Sequence, residues 1–223
     1  MKSILFNTEM VRAIQNGTKT ETRQVIKVNT EFPLACRAVK NPIGLWTASK
    51  IIRPKYMVDD ILYVRETWNK GYFESSDSEY SNECWFEEAS VQDGDYLKAL
   101  TTYVYRADFK RQDEINLGMK WHPSIHMPKE AARIFLKVTG VRVEQLQDIT
   151  IDQIMREGIY IDNTPPDYVP NILTAYTFDR NTYCSSPNLL FRKLWNSTIK
   201  KSDLDKYGWV ANPWVWVIEF DRI

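Results

Sequence analysis

The chain has 223 residues, 43% of them apolar and 26% charged, with 29 Lys plus Arg balancing 29 Asp plus Glu. That length and composition supply a buried core and exclude a chain disordered throughout. No apolar run approaches the roughly 18 residues of a membrane-spanning helix, and Met1 to Phe6 is too short an apolar stretch for a secretory signal. A pI near 6.7 excludes sequence-blind wrapping of a long duplex, a mode that needs many uncompensated cations. Three scattered cysteines, Cys36, Cys84 and Cys184, make neither a disulfide framework nor a closed zinc site. A cytoplasmic protein is the expectation.

The charge is unevenly spread. Residues 71–95 carry eight acids and no Lys or Arg, which leaves 29 basic against 21 acidic side chains in the rest. A mildly basic body with one acidic segment is compatible with a nucleotide or nucleic-acid ligand.

In chain order, Ser3 to Asn7 reads as a short strand, and Thr8 as the N-cap of a helix through Gln15–Asn16, with Met10, Val11 and Ile14 at helical spacing. Gly17 fits a left-handed stop. The polar turn Thr18-Lys19-Thr20-Glu21-Thr22-Arg23 follows, then Val25-Ile26. Residues 28–58, with prolines at 33, 42 and 54, read as irregular chain with short strands. Ile61 to Arg65 is a mostly buried strand by composition, and Thr101 to Tyr105 another. The eight acids make 71–95 an excursion. Trp121 to Pro128 is barred from regular helix by its prolines. Arg133 to Val138 and Val141 to Glu144 read as two strands around Gly140. Thr150 and Gln153 form a capping box for a short helix ending near Gly158. Residues 162–186 are polar, contain Pro165, Pro166 and Pro170, and read as a second excursion. Pro187 opens a helix carrying Leu189, Leu190, Leu194 and Trp195. Trp214 to Phe220 closes the chain as a strong strand, its tryptophans alternating with valines as two-faced packing. The expected fold class is α+β: one domain over residues 1–223, a small β-barrel decorated with short helices and two insertions, 71–95 and 162–186.

Three motifs carry a family resemblance. Gly17, Lys19 and Thr22 match a Gly-x-Lys-x-x-Thr-x-Arg pattern after a short helix; the final position holds Gln24, with Arg23 one residue early. Asp59-Asp60-Ile61-Leu62-Tyr63-Val64-Arg65-Glu66-Thr67-Trp68 matches a strand ending in an Arg-Glu pair, and Glu157-Gly158 a helix ending in Glu-Gly. In these the chain resembles the ASCH-domain family of the PUA-like group, small RNA-associated β-barrels. Trp121 to Pro128 and Asn212 to Phe220 resemble a longer, phage-associated branch. The resemblance implies, as the expected activity, removal of the acetyl group from 4-acetylcytidine by a Lys, a Thr and a Glu, carried over as Lys19, Thr22 and Glu157, with a non-catalytic RNA-binding module or a ribonuclease as the alternatives. It implies a modified nucleoside or RNA as partner, and no cofactor.

The chemistry of those residues stands separately. A Thr hydroxyl attacks only if a neighbouring base takes its proton. A poorly hydrated Lys can be that base, or, protonated, can stabilise an oxyanion. Glu157 can hold the Lys or protonate a leaving amine; at a helix C-terminal end it sits on the wrong side of the helix dipole. The plainer reading of the turn is a solvated loop, and of Glu157 an exposed helix-end acid. Arg65 can bind a carboxylate or phosphate and Trp68 can stack on a base, with Arg23, Glu66 and His126 as further binding residues. The plainer reading there is an internal Arg–Glu pair, a core Trp and a structural His. His122 and His126 have zinc-pair spacing, but Pro123 spoils the helix and no third ligand is at hand, so no metal is expected.

Overall fold

The computed structural model describes residues 1–27, 45–46, 51–74, 84–87, 101–110, 117–162, 174–176, 183–184 and 186–223. Its strands are β1 (Lys2–Leu5), β2 (Glu21–Val25), β3 (Leu45–Trp46), β4 (Ile51–Ile52), β5 (Ile61–Arg65), β6 (Trp68–Glu74), β7 (Cys84–Glu87), β8 (Thr102–Tyr105), β9 (Phe135–Gln145), β10 (Tyr160–Asp162), β11 (Thr174–Tyr176), β12 (Tyr183–Cys184) and β13 (Trp214–Arg222). Its α-helices are α1 (Thr8–Gln15), α2 (Ile151–Arg156), α3 (Pro187–Thr198) and α4 (Leu204–Tyr207), and the class is α+β as expected. The main sheet has five strands in the order β1-β5-β9-β13-β2. Among the described residues it stays open, with β1 and β2 as its edges, so the expected closed barrel is corrected to an open sheet. The side of β2 away from β13 meets the end of α2, where a Lys19–Glu157 bridge and a Thr20 N–H to Arg156 carbonyl bond take the place of a strand.

Packing divides the chain into two compact units, Met1–Lys2 with Ala13–Leu62 and Phe135–Ile223, and Ser3–Arg12 with Tyr63–Ile134. In the first unit β13 pairs antiparallel with β9 on one side and β2 on the other. The two strands expected around Gly140 are one: β9 continues through it, with its register to β13 shifting at Thr139, and Gly140 lies opposite Glu219, where a Cβ would strike the Glu219 carboxylate. One face of this sheet sends Val215 and Val217 into a core with Leu146, Ile154, Ile159, Leu190 and Phe191, each large apolar side chain contributing about 1.5–3 kcal/mol. The capping box is present, Thr150 N–H to Gln153 at 2.8 Å and Gln153 N–H to Thr150 at 3.3 Å. Pro187 occupies the first turn of α3, as expected. The expected excursion over 162–186 is in its described parts a small antiparallel sheet, β10-β11-β12; the rest of that segment lies outside the described residues. Most of 28–50 lies outside them as well.

In the second unit β6 pairs with β7 and β8. The acidic excursion thus begins as a hairpin arm with Tyr72 opposite Phe86, and residues 75–83 and 88–100 lie outside the described residues. The cap of α1 is Asn7, whose side chain accepts the Met10 N–H at 2.8 Å, rather than Thr8; Asn places its carbonyl oxygen on that amide while Thr8 is already helical. Tyr105, Met127 and Ala131 form a small core, tied by the Tyr105 hydroxyl donating to Ala131 O at 2.6 Å.

Candidate functional site

The sequence motif lands on the start of β2. Gly17 ends α1 with φ +73°, and the chain turns so that Lys19 lies antiparallel to Glu157 at the end of α2. Gly158 permits the approach: it has φ +96°, and a Cβ there would stand 2.9 Å from Ala13 Cβ and 3.3 Å from Lys19 Cβ. Lys19, whose side chain is 0% exposed, points inward. Its ammonium donates to Glu157 Oε2 at 2.6 Å, Glu157 O at 3.0 Å and Glu21 O at 2.8 Å. An ammonium has three hydrogens, and each of the three has an acceptor. The helix dipole objection to Glu157 is thereby answered, because two cations hold it: Lys19 on Oε2 and Arg23 on Oε1 at 3.1 Å.

From there the ion pairs run across the sheet. Side chains alternate along a strand, so Glu21 and Arg23 of β2 share a face with Arg142 and Glu144 of β9 and Glu219 of β13. Arg23 also reaches Glu144 at 3.2 Å; its Nη1 lies 2.7 Å from Glu21 Oε1, close in charge but off the hydrogen-bond axis. Arg142 bonds Glu21 at 2.9 Å and also Glu144 and Glu219. Burial works against the Arg142 charge, yet hydrogen bonds to Glu144 and Glu21 hold its pKa above the usual guanidinium value. The network joins three cations, Lys19, Arg23 and Arg142, to four carboxylates, Glu21, Glu144, Glu157 and Glu219, a net of one negative charge.

Thr22 takes the other parity of β2. It is buried opposite Ile218, and the alternation turns it to the face away from Glu21 and Arg23. Lys19 and Glu157 are therefore brought together and Thr22 is not. In this arrangement Lys19 is bonded to carbonyls and a carboxylate instead of to the Thr22 hydroxyl.

The remaining predicted residues belong to the second unit. Glu66 is 1% exposed and meets Arg133 through both oxygens, at 2.9 and 3.0 Å, while Arg133 also grips Asp108 at 2.6 and 3.0 Å. The partner of Glu66 is thus Arg133, not the adjacent Arg65. Burial raises the Glu66 pKa above the usual carboxylate value, outweighing the lowering by Arg133. Arg65 donates to the Ile125 carbonyl. Trp68 packs on Tyr103, ring centres 5.7 Å apart, and on His122 at 5.1 Å, and exchanges backbone hydrogen bonds with His122. His126 is exposed on a single 3-10 turn, Ser124–His126. Among the described residues no cluster of His, Cys, Asp and Glu could hold a metal ion.

Two hollows lie near β2, one at its last residues and one at the turn before it. One, about 370 Å³, lies beside its last residues and the end of α3, with Arg23, Lys27, Lys200, Asp203, Trp195 and Tyr207 in its wall. Lys27 and Lys200 are exposed and pair with no carboxylate among the described residues. Arg23 Nε, buried in the same wall, has no hydrogen-bond partner among the described residues. The other, also about 370 Å³, lies beside the Gly17–Thr20 turn, and its lining includes Thr18, Thr20 and Arg156 but neither Lys19 nor Glu157, as the alternation requires. Sequence reasoning missed Lys27, Lys200, Arg142, Glu144 and Glu219. The alternation of Arg142 and Glu144 with Val141 and Val143 was the available signal for the network; nothing local marks the two lysines, which meet only through folding. No protein-family model matches the chain, and no curated protein or solved structure matches it. No helix of the described residues is long and apolar enough to cross a membrane.

Proposed function

We propose that the chain is a binding module for single-stranded RNA, and that the groove at Arg23, Lys27 and Lys200 takes the RNA backbone. The observation that carries this reading is a hollow of mononucleotide size whose lining holds two exposed lysines that form no ion pair among the described residues. Asp203 favours RNA over DNA: a carboxylate repels phosphate but accepts a hydrogen bond from a ribose 2′-hydroxyl. Tyr207 adds a ring on which a base can stack. The PUA-like affinity suggested by the Gly17–Gln24 and Asp59–Trp68 motifs agrees with the same reading.

The test is fluorescence anisotropy with a labelled single-stranded RNA over a salt series. The double variant Lys27→Ala/Lys200→Ala should weaken binding and flatten the slope of log K against log salt by about 1.4, since each phosphate contact to a single strand contributes about 0.7. Asp203→Ala should reduce the preference for RNA over DNA of the same sequence. An unchanged slope in the double variant would sink the reading.

A second reading, hydrolysis of the amide of 4-acetylcytidine, is favoured by one observation, the buried Lys19–Glu157 pair at 2.6 Å. It requires a water rather than Thr22 as nucleophile, and access for substrate to a pair that lies inside the fold. Acetate release that is lost in Lys19→Ala, with Thr22→Ala still active, would put this reading first. RNA cleavage lost in Lys19→Ala would instead favour a ribonuclease.

A further inference from the structure

We infer that the hollow beside the Gly17–Thr20 turn is a second subsite that takes a base carrying an exocyclic amine from the same RNA strand, an inference that rests on the RNA-binding reading. One hollow borders the last residues of β2, the last strand of its sheet among the described residues, and the other borders the turn that leads into it. Four residues of extended chain separate Thr20 from Gln24, roughly 13 Å at about 3.3 Å per residue. That separation is more than one nucleotide spans, so one strand running along β2 can fill both hollows and a lone nucleotide cannot.

The two linings differ as backbone and base sites should. The first is edged by cations. The second has a floor of Ile159 and Ile161 and walls of Met155 and Tyr160, both 44% exposed. An apolar lining with a partly exposed thioether and phenol ring suits the face of a planar ring. The polar side chains at its border are Asp152, Thr18, Thr20 and the cation Arg156. Asp152 contributes a carboxylate, and the Thr18 hydroxyl gives its hydrogen to Ala13 O at 3.0 Å and so presents lone pairs. A carboxylate and a guanidinium on one border match a base whose edge sets an exocyclic amine beside a ring acceptor, as cytosine does, whereas uracil puts a carbonyl oxygen where cytosine has the amine and Asp152 repels it.

The experiment compares cytidine monophosphate, the trinucleotide CCC and the trinucleotide UUU by competition against a labelled RNA, with wild type, Met155→Ala/Tyr160→Ala and Asp152→Asn. Met155 and Tyr160 are substantially exposed, and a thermal melt checks that the variants fold. CCC should bind about tenfold tighter than the monophosphate, within the range of one base stacked on an aromatic ring. Met155→Ala/Tyr160→Ala should remove that gain and leave monophosphate binding in place. Asp152→Asn, which removes the charge and adds an amide donor while keeping one acceptor oxygen, should reduce the preference for CCC over UUU. If CCC gains nothing over the monophosphate, or keeps its gain in the double variant, the second subsite is wrong while the backbone groove stands. If CCC and UUU bind alike to wild type, the amine selection is wrong. If no ligand binds at low salt, the RNA reading fails and this inference falls with it.

Discussion

Whether the Lys19–Glu157 pair serves structure or chemistry can be decided by stability. In Lys19→Met the Glu157 carboxylate keeps only Arg23, and the buried network goes from a net of one negative charge to two. Removing one partner of a buried pair costs about 3–5 kcal/mol, and the added repulsion places this variant at the upper end. In Glu157→Gln the shape stays, Lys19 keeps two carbonyl acceptors, and the network becomes neutral. The loss is then one charge-assisted hydrogen bond, about 1.5–3 kcal/mol. Lys19→Met/Glu157→Gln together should cost less than the sum of the two, since neither leaves the other stranded. Urea unfolding of the four proteins reads all three quantities as midpoint shifts at constant slope. If Lys19→Met costs less than Glu157→Gln, or under about 1 kcal/mol, the network does not hold the fold as argued. A residue retained for chemistry against the interest of stability shows the opposite pattern, activity lost with stability unchanged or raised.

Three further outcomes follow from local geometry. Arg133→Met strands Glu66 and should cost about 3 kcal/mol at neutral pH; because burial raises Glu66 above 4.5, the folded state takes up its proton first as the pH falls, so the cost should shrink in acid, measured by unfolding at several pH values. Asp60 is pulled below 3.8 by its hydrogen bond from Lys2 and then by the Met57 N–H, so its contribution is present above that value and lost as pH falls through the lowered one. Asp60→Asn should therefore cost no more than about 1 kcal/mol at pH 7 for so exposed a pair, with the difference from wild type fading below pH 3.8. Gly158→Ala should cost at least about 1–2 kcal/mol for its left-handed φ alone, with more from the approach to Ala13, read as a drop in Tm.

Local signals carried the reading of elements well. The Thr8–Gln15 helix, the Ile61–Arg65 strand, the capping box at Thr150 and the proline at the head of α3 are each set by a few neighbouring residues, and each appears where its spacing put it. Expectation and structure part where the cause is distant in sequence. Gly140 looked like a break because the residue opposite it, Glu219, is 79 positions away and fills the space a Cβ would take. Arg65 and Glu66 looked like a pair because they are adjacent, whereas in a strand adjacent side chains face opposite ways and Glu66 found Arg133 instead. The same alternation separates Thr22 from Lys19, three residues apart and compatible with one cleft only if the turn were helical.

The candidate site divides along that parity. At β2 and its approach, Lys19, Glu21 and Arg23 enter an interior charge network, while Thr18 and Thr20 border one hollow. A buried network of this kind contributes little net stability against apolar residues of equal volume, but it penalises any register that strands a charge. A one-residue slip of β2 would turn Glu21 and Arg23 to the opposite face and bring Thr22 and Gln24 to Arg142 and Glu144. The network thus acts as a register lock for the edge strand. The fixed register of that strand, in turn, sets the spacing between the hollow at its end and the hollow at the turn before it, and the proposed binding of one RNA strand across both needs β2 held in one register.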